Sequence, residues 1–273
     1  MNANLRVTLG GYVAVPIECR EVELFYAGLR AMPRIKGIEF PCGRDGQFGE
    51  AFGEGWFLDQ RSPSWAFTLT SLRSTMMAVA EASDYGLASK SETGRTGALR
   101  HVMKIRQTME RLQEMYGIAV PTVLLHTAPR KEWSSPYAFA RSLAEILTWD
   151  WGETAAIETR GPDGPVHHVQ LAASVNALYG VVFAGASATV FQYGLAWTDA
   201  HLPLAGTGGS LMTVDQIERT MRAAGREVEY GVKVGVRPRN SSAAARLPVV
   251  KSMINAVVRV HGSLEHQSGE ASK

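Results

Sequence analysis

Residues 89–128 read SKSETGRTGALRHVMKIRQTMERLQEMYGIAVPTVLLHTA, and the period of the apolar residues changes partway along them. Leu99, Val102, Met103, Met109, Leu112 and Tyr116 recur every three or four positions, the spacing of one helical face. Ser89 and Glu92 match a capping box at the start, and Gly117 supplies the stop. Residues 120–128 are then almost continuously apolar, as in a strand buried on both faces. A long amphipathic helix running straight into a buried strand is one half of a βα repeat, so the stretch predicts an α/β fold.

The pattern extends both ways. A strand is predicted at 6–15. A helix follows at 18–32 with Val22, Phe25, Tyr26 and Leu29 on one face, ended by Pro33, and a second strand lies at 35–40. The glycine-rich segment 41–55 gives no clear element, residues 56–60 read as a short helix, and 64–72 as a third strand. After the strand at 120–128, Ser135 before Pro136 opens a helix ending near Trp149, with proline where its missing N–H costs nothing. Strands at 154–159, 180–187 and 230–236 alternate with helices at 165–179 and 213–224. Ser241 or Ser242 caps a closing helix carrying Leu247, Val250, Ile254 and Val258. This is about seven βα units, where a complete barrel has eight. The even repeat predicts one domain over 1–261, with 262–273 a frayed tail. An open doubly wound sheet is the alternative, but no G-x-G-x-x-G or Walker A motif is present to supply its usual phosphate turn.

Charge narrows the function. The 28 Lys+Arg balance 26 Asp+Glu at a net charge of +2, and the basic residues are scattered, which argues against a nucleic-acid footprint. Cys19 and Cys42 are the only cysteines, too few for a disulfide framework, and they fit packing roles in a reducing compartment. No signal-peptide pattern opens the chain, and no apolar run reaches membrane-spanning length, so a cytoplasmic protein without a membrane partner is expected.

Five segments occur in a familiar order: Gly10-Gly11-Tyr12, Gly37-Ile38-Glu39-Phe40-Pro41, Leu125-His126-Thr127-Ala128-Pro129, Trp197-Thr198-Asp199-Ala200-His201-Leu202-Pro203 and Gly231-Val232-Lys233-Val234. Together they resemble an uncharacterised bacterial domain-of-unknown-function family of xylose-isomerase-like TIM barrels, over most of residues 5–260. The resemblance implies a (β/α) barrel and sugar isomerase or epimerase chemistry, in which strand-end carboxylates and a histidine hold a divalent metal. It also implies a further strand with an acidic end, a helix and another strand between the fourth helix and the segment at 154–160. Here Trp149-Asp150-Trp151 runs almost directly into Glu153-Thr154-Ala155-Ala156-Ile157-Glu158, so the barrel is expected to be short of about one βα unit and of a metal carboxylate. The last strand carries Lys233 and Arg237 where metal-dependent relatives place a carboxylate. Both departures count against a divalent metal, and no other cofactor is indicated.

Candidate residues follow from the strand ends, where a parallel barrel gathers its working groups. His126 closes the strand at 120–128 and has a pKa range suited to proton transfer. Glu39, at the same place on the second strand, needs a partner or a role if buried. Both also fit structural roles, a backbone-satisfied histidine and a salt-bridged acid. Lys233 interrupts an apolar run and must reach solvent or a negative partner. With Arg237 and the amides near Asn240-Ser241-Ser242 it suggests an anion site. Asp199 and His201, spaced i and i+2 on a loop, suit a metal or a sugar hydroxyl, or a hydrogen-bonded loop. Glu158 is a strand-end candidate or a solvated charge. The expected function is proton transfer on a sugar or sugar-derived anion, with His126, Glu39 and Lys233 converging on one cavity. The alternative is a degenerate, non-catalytic barrel binding a small metabolite. The missing unit would leave a sheet edge open, which predicts self-association into a homo-oligomer or a split barrel.

Overall fold

The computed structural model describes residues 5–10, 15–47, 53–120, 122–126, 129–151, 190–193, 201–203, 229–237 and 241–270. They form helices and parallel strands in two compact units, one comprising Met1–Glu39, Gln60–Trp65 and Val190–Lys273, the other Phe40–Asp59 and Ala66–Thr189. Strand β2 (Ile35–Pro41) passes from the first to the second at Glu39. The elements expected at 154–159, 165–179, 180–187 and 213–224 lie outside the described residues.

In the first unit β1 (Leu5–Gly10) runs parallel to β2 on one side and to β7 (Glu229–Arg237) on the other. On its other side β7 pairs through its first half with β5 (Val190–Tyr193), and its last residues pair with β6 (His201–Pro203). His201 was expected on a loop; it sits instead in a ladder. Tyr193 pairs with Val232 and His201 with Gly235, so eight residues of one chain segment match three of β7.

Helices α1 (Cys19–Arg30) and α6 (Ala243–Glu270) pack on each other, and α6 also packs on β7 and β1. The stripe Val22, Phe25, Tyr26 and Leu29 is buried as its period predicts, with Val7, Leu9, Ile38, Val250 and Ile254. A Cβ at Gly28 would overlap the Leu247 side chain, so glycine there lets the two helices approach. Helix α6 continues to Glu270, past Gly262, where the sequence suggested a frayed tail. Cys19 is exposed, not packed, whereas Cys42 is buried.

In the second unit β3 (Ala66–Thr70) pairs in parallel with β4 (Thr122–Leu124), with α2 (Gly53–Gln60), α3 (Leu72–Glu81), α4 (Glu92–Tyr116) and α5 (Pro136–Leu147) around them. The long helix is where its stripe predicts, but its cap differs. Ser91 Oγ accepts from Gly94 N at 3.2 Å, while Ser89 Oγ accepts from Ser91 N and so orders the turn before the helix. Gly117 ends it at φ 61°, a left-handed cap that glycine adopts without strain. Ser135 caps α5 through Ala138 N, with Pro136 in the first turn. No periodicity announced α3, because its buried face is Ser74, Thr75, Ala78 and Val79 while Met76 and Met77 are exposed.

Candidate functional site

Glu39 lies at the C-terminal end of β2 and is only 1% exposed. Pairing sets it opposite Gly10 of β1, and two residues earlier Gly37 lies opposite Thr8. Thr8, itself buried, also pairs with Lys233 of β7. Gly37, Thr8 and Lys233 therefore form one rung, Ile38, Leu9 and Val234 the next, and Glu39 sits two rungs beyond Lys233 toward the C-terminal ends. A two-residue step along β7 from Lys233 reaches Gly235, the partner of His201, and another reaches Arg237, the partner of Pro203. Four of the expected site residues, Glu39, Lys233, His201 and Arg237, thus belong to one parallel sheet, with Lys233 at the middle of β7, Arg237 at its last residue and His201 at the first residue of β6.

At the start of the closing helix the amides of Ala243 and Ala245 have partners within the chain. The first helical amide, Ala243 N, donates to Glu21 Oε2 at 2.5 Å, and Ala245 N donates to Ser242 Oγ. A carboxylate of the chain itself thus occupies the positive end of the helix dipole. Arg246, fully buried, donates to Ser241 Oγ at 2.8 Å.

His126 belongs to the second unit, just past β4, and is 5% exposed. Its backbone N–H donates to Ser71 Oγ at 2.7 Å. Around Ser71 lies a buried polar cluster. Ser74 Oγ reaches the Cys42 and Ser71 carbonyls at 2.7 and 3.0 Å, and His101 Nε2 at 3.1 Å. A hydroxyl has one proton, so with that proton on a carbonyl Ser74 accepts from the ring N–H of His101. Burial drives the His101 pKa down to about 4, against the opposing effect of a backbone hydrogen bond at Cys42. The ring is therefore neutral at pH 7. Burial also pushes the Cys42 thiol up to about 12, which leaves it protonated and a poor nucleophile.

Thr8, Ser71, Ser74 and His101 were not singled out from sequence. For His101 a signal existed: it falls three residues after Ala98 and four before Ile105, on the buried face of α4. A lone histidine on an apolar helix stripe needs a polar partner, and Ser74 supplies one. Glu158 and Asp199 lie outside the described residues. Among the described residues, no group of three or more His, Cys, Asp or Glu side chains comes together as a metal site, and no helix is long and apolar enough to cross a membrane.

Residues 8–157 and 154–249 match the family described as domain of unknown function DUF4862. The chain belongs to that family. It is also similar to the uncharacterized protein STM3670 of Salmonella typhimurium, at 26% identity over 308 aligned positions that cover 93% of this chain and 97% of the relative. The alignment is longer than the 273-residue chain itself, so the relative carries residues with no counterpart here. The two segments of the family match meet at residues 154–157.

Proposed function

We propose that the chain is a xylose-isomerase-like barrel protein, short of about one βα unit, that moves a proton on a sugar or sugar-derived anion in the manner of an isomerase or epimerase. The observation that carries this reading is Glu39, a carboxylate buried near a strand end and two rungs from the Lys233 position. An ionised carboxylate is costly to bury, and such groups concentrate where proton chemistry is done. In this reading Glu39 takes a proton from a carbon beside a carbonyl and Lys233 and Arg237 balance the negative charge of the ligand, while His126, in the second unit, is a separate candidate for proton transfer. A carboxylate with two basic residues farther along the sheet suits an anion better than a divalent cation, so no step here runs through a metal. The two-cysteine content fits a reducing, cytoplasmic setting.

The division of the family match into two segments that overlap at 154–157 supports a second reading, a degenerate barrel that binds a metabolite without turning it over. Thermal shift with millimolar sugar phosphates, sugar acids and neutral sugars tests the first. Anionic sugars should raise Tm, because a ligand that binds only the native state stabilises it by mass action. A shift with neutral sugars alone would remove Lys233 and Arg237 from the account. Binding that survives Glu39→Gln, with no turnover by either protein, would support the second reading.

A further inference from the structure

Ser71 immediately precedes α3, a position where serine hydroxyls commonly cap the helix. Here the hydroxyl makes no cap hydrogen bond to α3. The Leu72 amide is taken instead by Thr70 Oγ1 at 3.2 Å, and Ser71 Oγ accepts the His126 N–H at 2.7 Å. The last pair of the β3–β4 ladder is Thr70 with Leu124, so this side chain continues the pairing two residues beyond the regular strand.

Ser71 is itself braced. Its carbonyl accepts from Thr75 N at 2.9 Å and from Ser74 Oγ at 3.0 Å, and Ser74 is tied to His101 and to the Cys42 carbonyl. Ser71, Ser74, His101 and His126 are 2, 7, 4 and 5% exposed, so no water-filled surface loosens the chain of contacts. Satisfied buried networks of this kind hold one geometry.

We infer that Ser71 is a positioning residue for His126, braced by Ser74 and His101, and that it fixes the backbone from which the His126 imidazole projects. This rests on the proposed role of His126 in proton transfer, and it can be tested without a substrate. The full chain, labelled with ring-¹⁵N histidine, is titrated by NMR, and the His126 signals are assigned by their loss in His126→Gln. Ser71→Ala should move the His126 ring pKa by about half a unit or more, or change its tautomer balance, because the ring enters a different environment. Ser71→Thr, which keeps the hydroxyl, should restore it. Ser142→Ala is the control: its hydroxyl is equally buried and donates to Leu87 O at the same 2.7 Å, so a general loosening of the fold would register there too.

A wild-type His126 titration in Ser71→Ala overturns the inference, as does an equal shift in Ser142→Ala. If Ser71→Ala does not fold, Ser74→Ala decides: the His126 signal must move in it and stay fixed in Ser142→Ala. Retention of activity by His126→Gln would sink the functional reading while leaving this measurement intact.

Discussion

Glu39 and His101 are both buried and titratable, and their surroundings give them different expected roles. Glu39 lies near the end of a strand in a sheet that also carries Lys233, and Glu39→Gln keeps its volume while removing the proton acceptor. General-base catalysis typically contributes about 10²–10⁴-fold, so turnover of a responsive sugar should fall by that order while ligand binding persists. An unchanged rate would exclude Glu39 as the base. His101 instead makes stability depend on pH. Its folded pKa, about 4, lies below the unfolded 6.5, so the unfolded chain binds the proton more readily. Its contribution is complete above pH 6.5, declines as pH falls, and is lost below about pH 4. A shift of that size corresponds to on the order of 3 kcal/mol. Urea unfolding between pH 4 and 7 should show the decline, and His101→Gln should flatten it; an unflattened profile would assign the effect to other groups. In sequence Glu39 and His126 stood out because they end apolar strands, whereas Ser71 and Ser74 did not, since a serine's importance here depends on what lies 55 residues away at His126.

At the scale of elements, the readable helices are those whose buried face is apolar. The stripe of α1, the left-handed Gly117 and the Ser135-Pro136 start of α5 are all local signals, and each marks a real feature. Helix α3 has no such signal, because small and hydroxylated residues fill its inner face and two methionines its outer one. The start of α4 was misplaced by two residues because Ser89 and Ser91 both offer a hydroxyl, and only packing selects Ser91. Glycines give the sharpest test at this scale. A Cβ at Gly94 would overlap the carbonyl of Asp84, which is backbone and cannot swing aside, whereas one at Gly55 meets open space. Gly94→Ala should therefore destabilise the protein by about 1–3 kcal/mol, and Gly55→Ala should stabilise it by about 0.4–1 kcal/mol. Equal effects in chemical denaturation would mean that the turn before α4 adapts more freely than its packing suggests.

For the whole molecule, the reading from sequence placed a missing βα unit between Trp151 and Thr154, close to where the two segments of the family match overlap at 154–157. The 308-position alignment to the Salmonella relative includes residues of that protein with no counterpart in this chain. Local periodicity is silent on such a deletion, because every unit that is present reads normally and a deletion is visible only against longer relatives. Strands flanking such a deletion lose a usual neighbour, and unpaired strand edges are normally covered. Sedimentation equilibrium should accordingly show self-association, and a clean monomer at high concentration would contradict it. The central claim, proton transfer on a sugar-derived anion, is tested most directly by ¹H NMR in D₂O with a panel of sugar acids and sugar phosphates. The account predicts loss of the proton signal at a carbon beside a carbonyl with the wild-type protein, and no loss with Glu39→Gln. Wild-type protein that binds an anionic sugar yet leaves every such proton unexchanged, or a Glu39→Gln variant that exchanges at the wild-type rate, would contradict it.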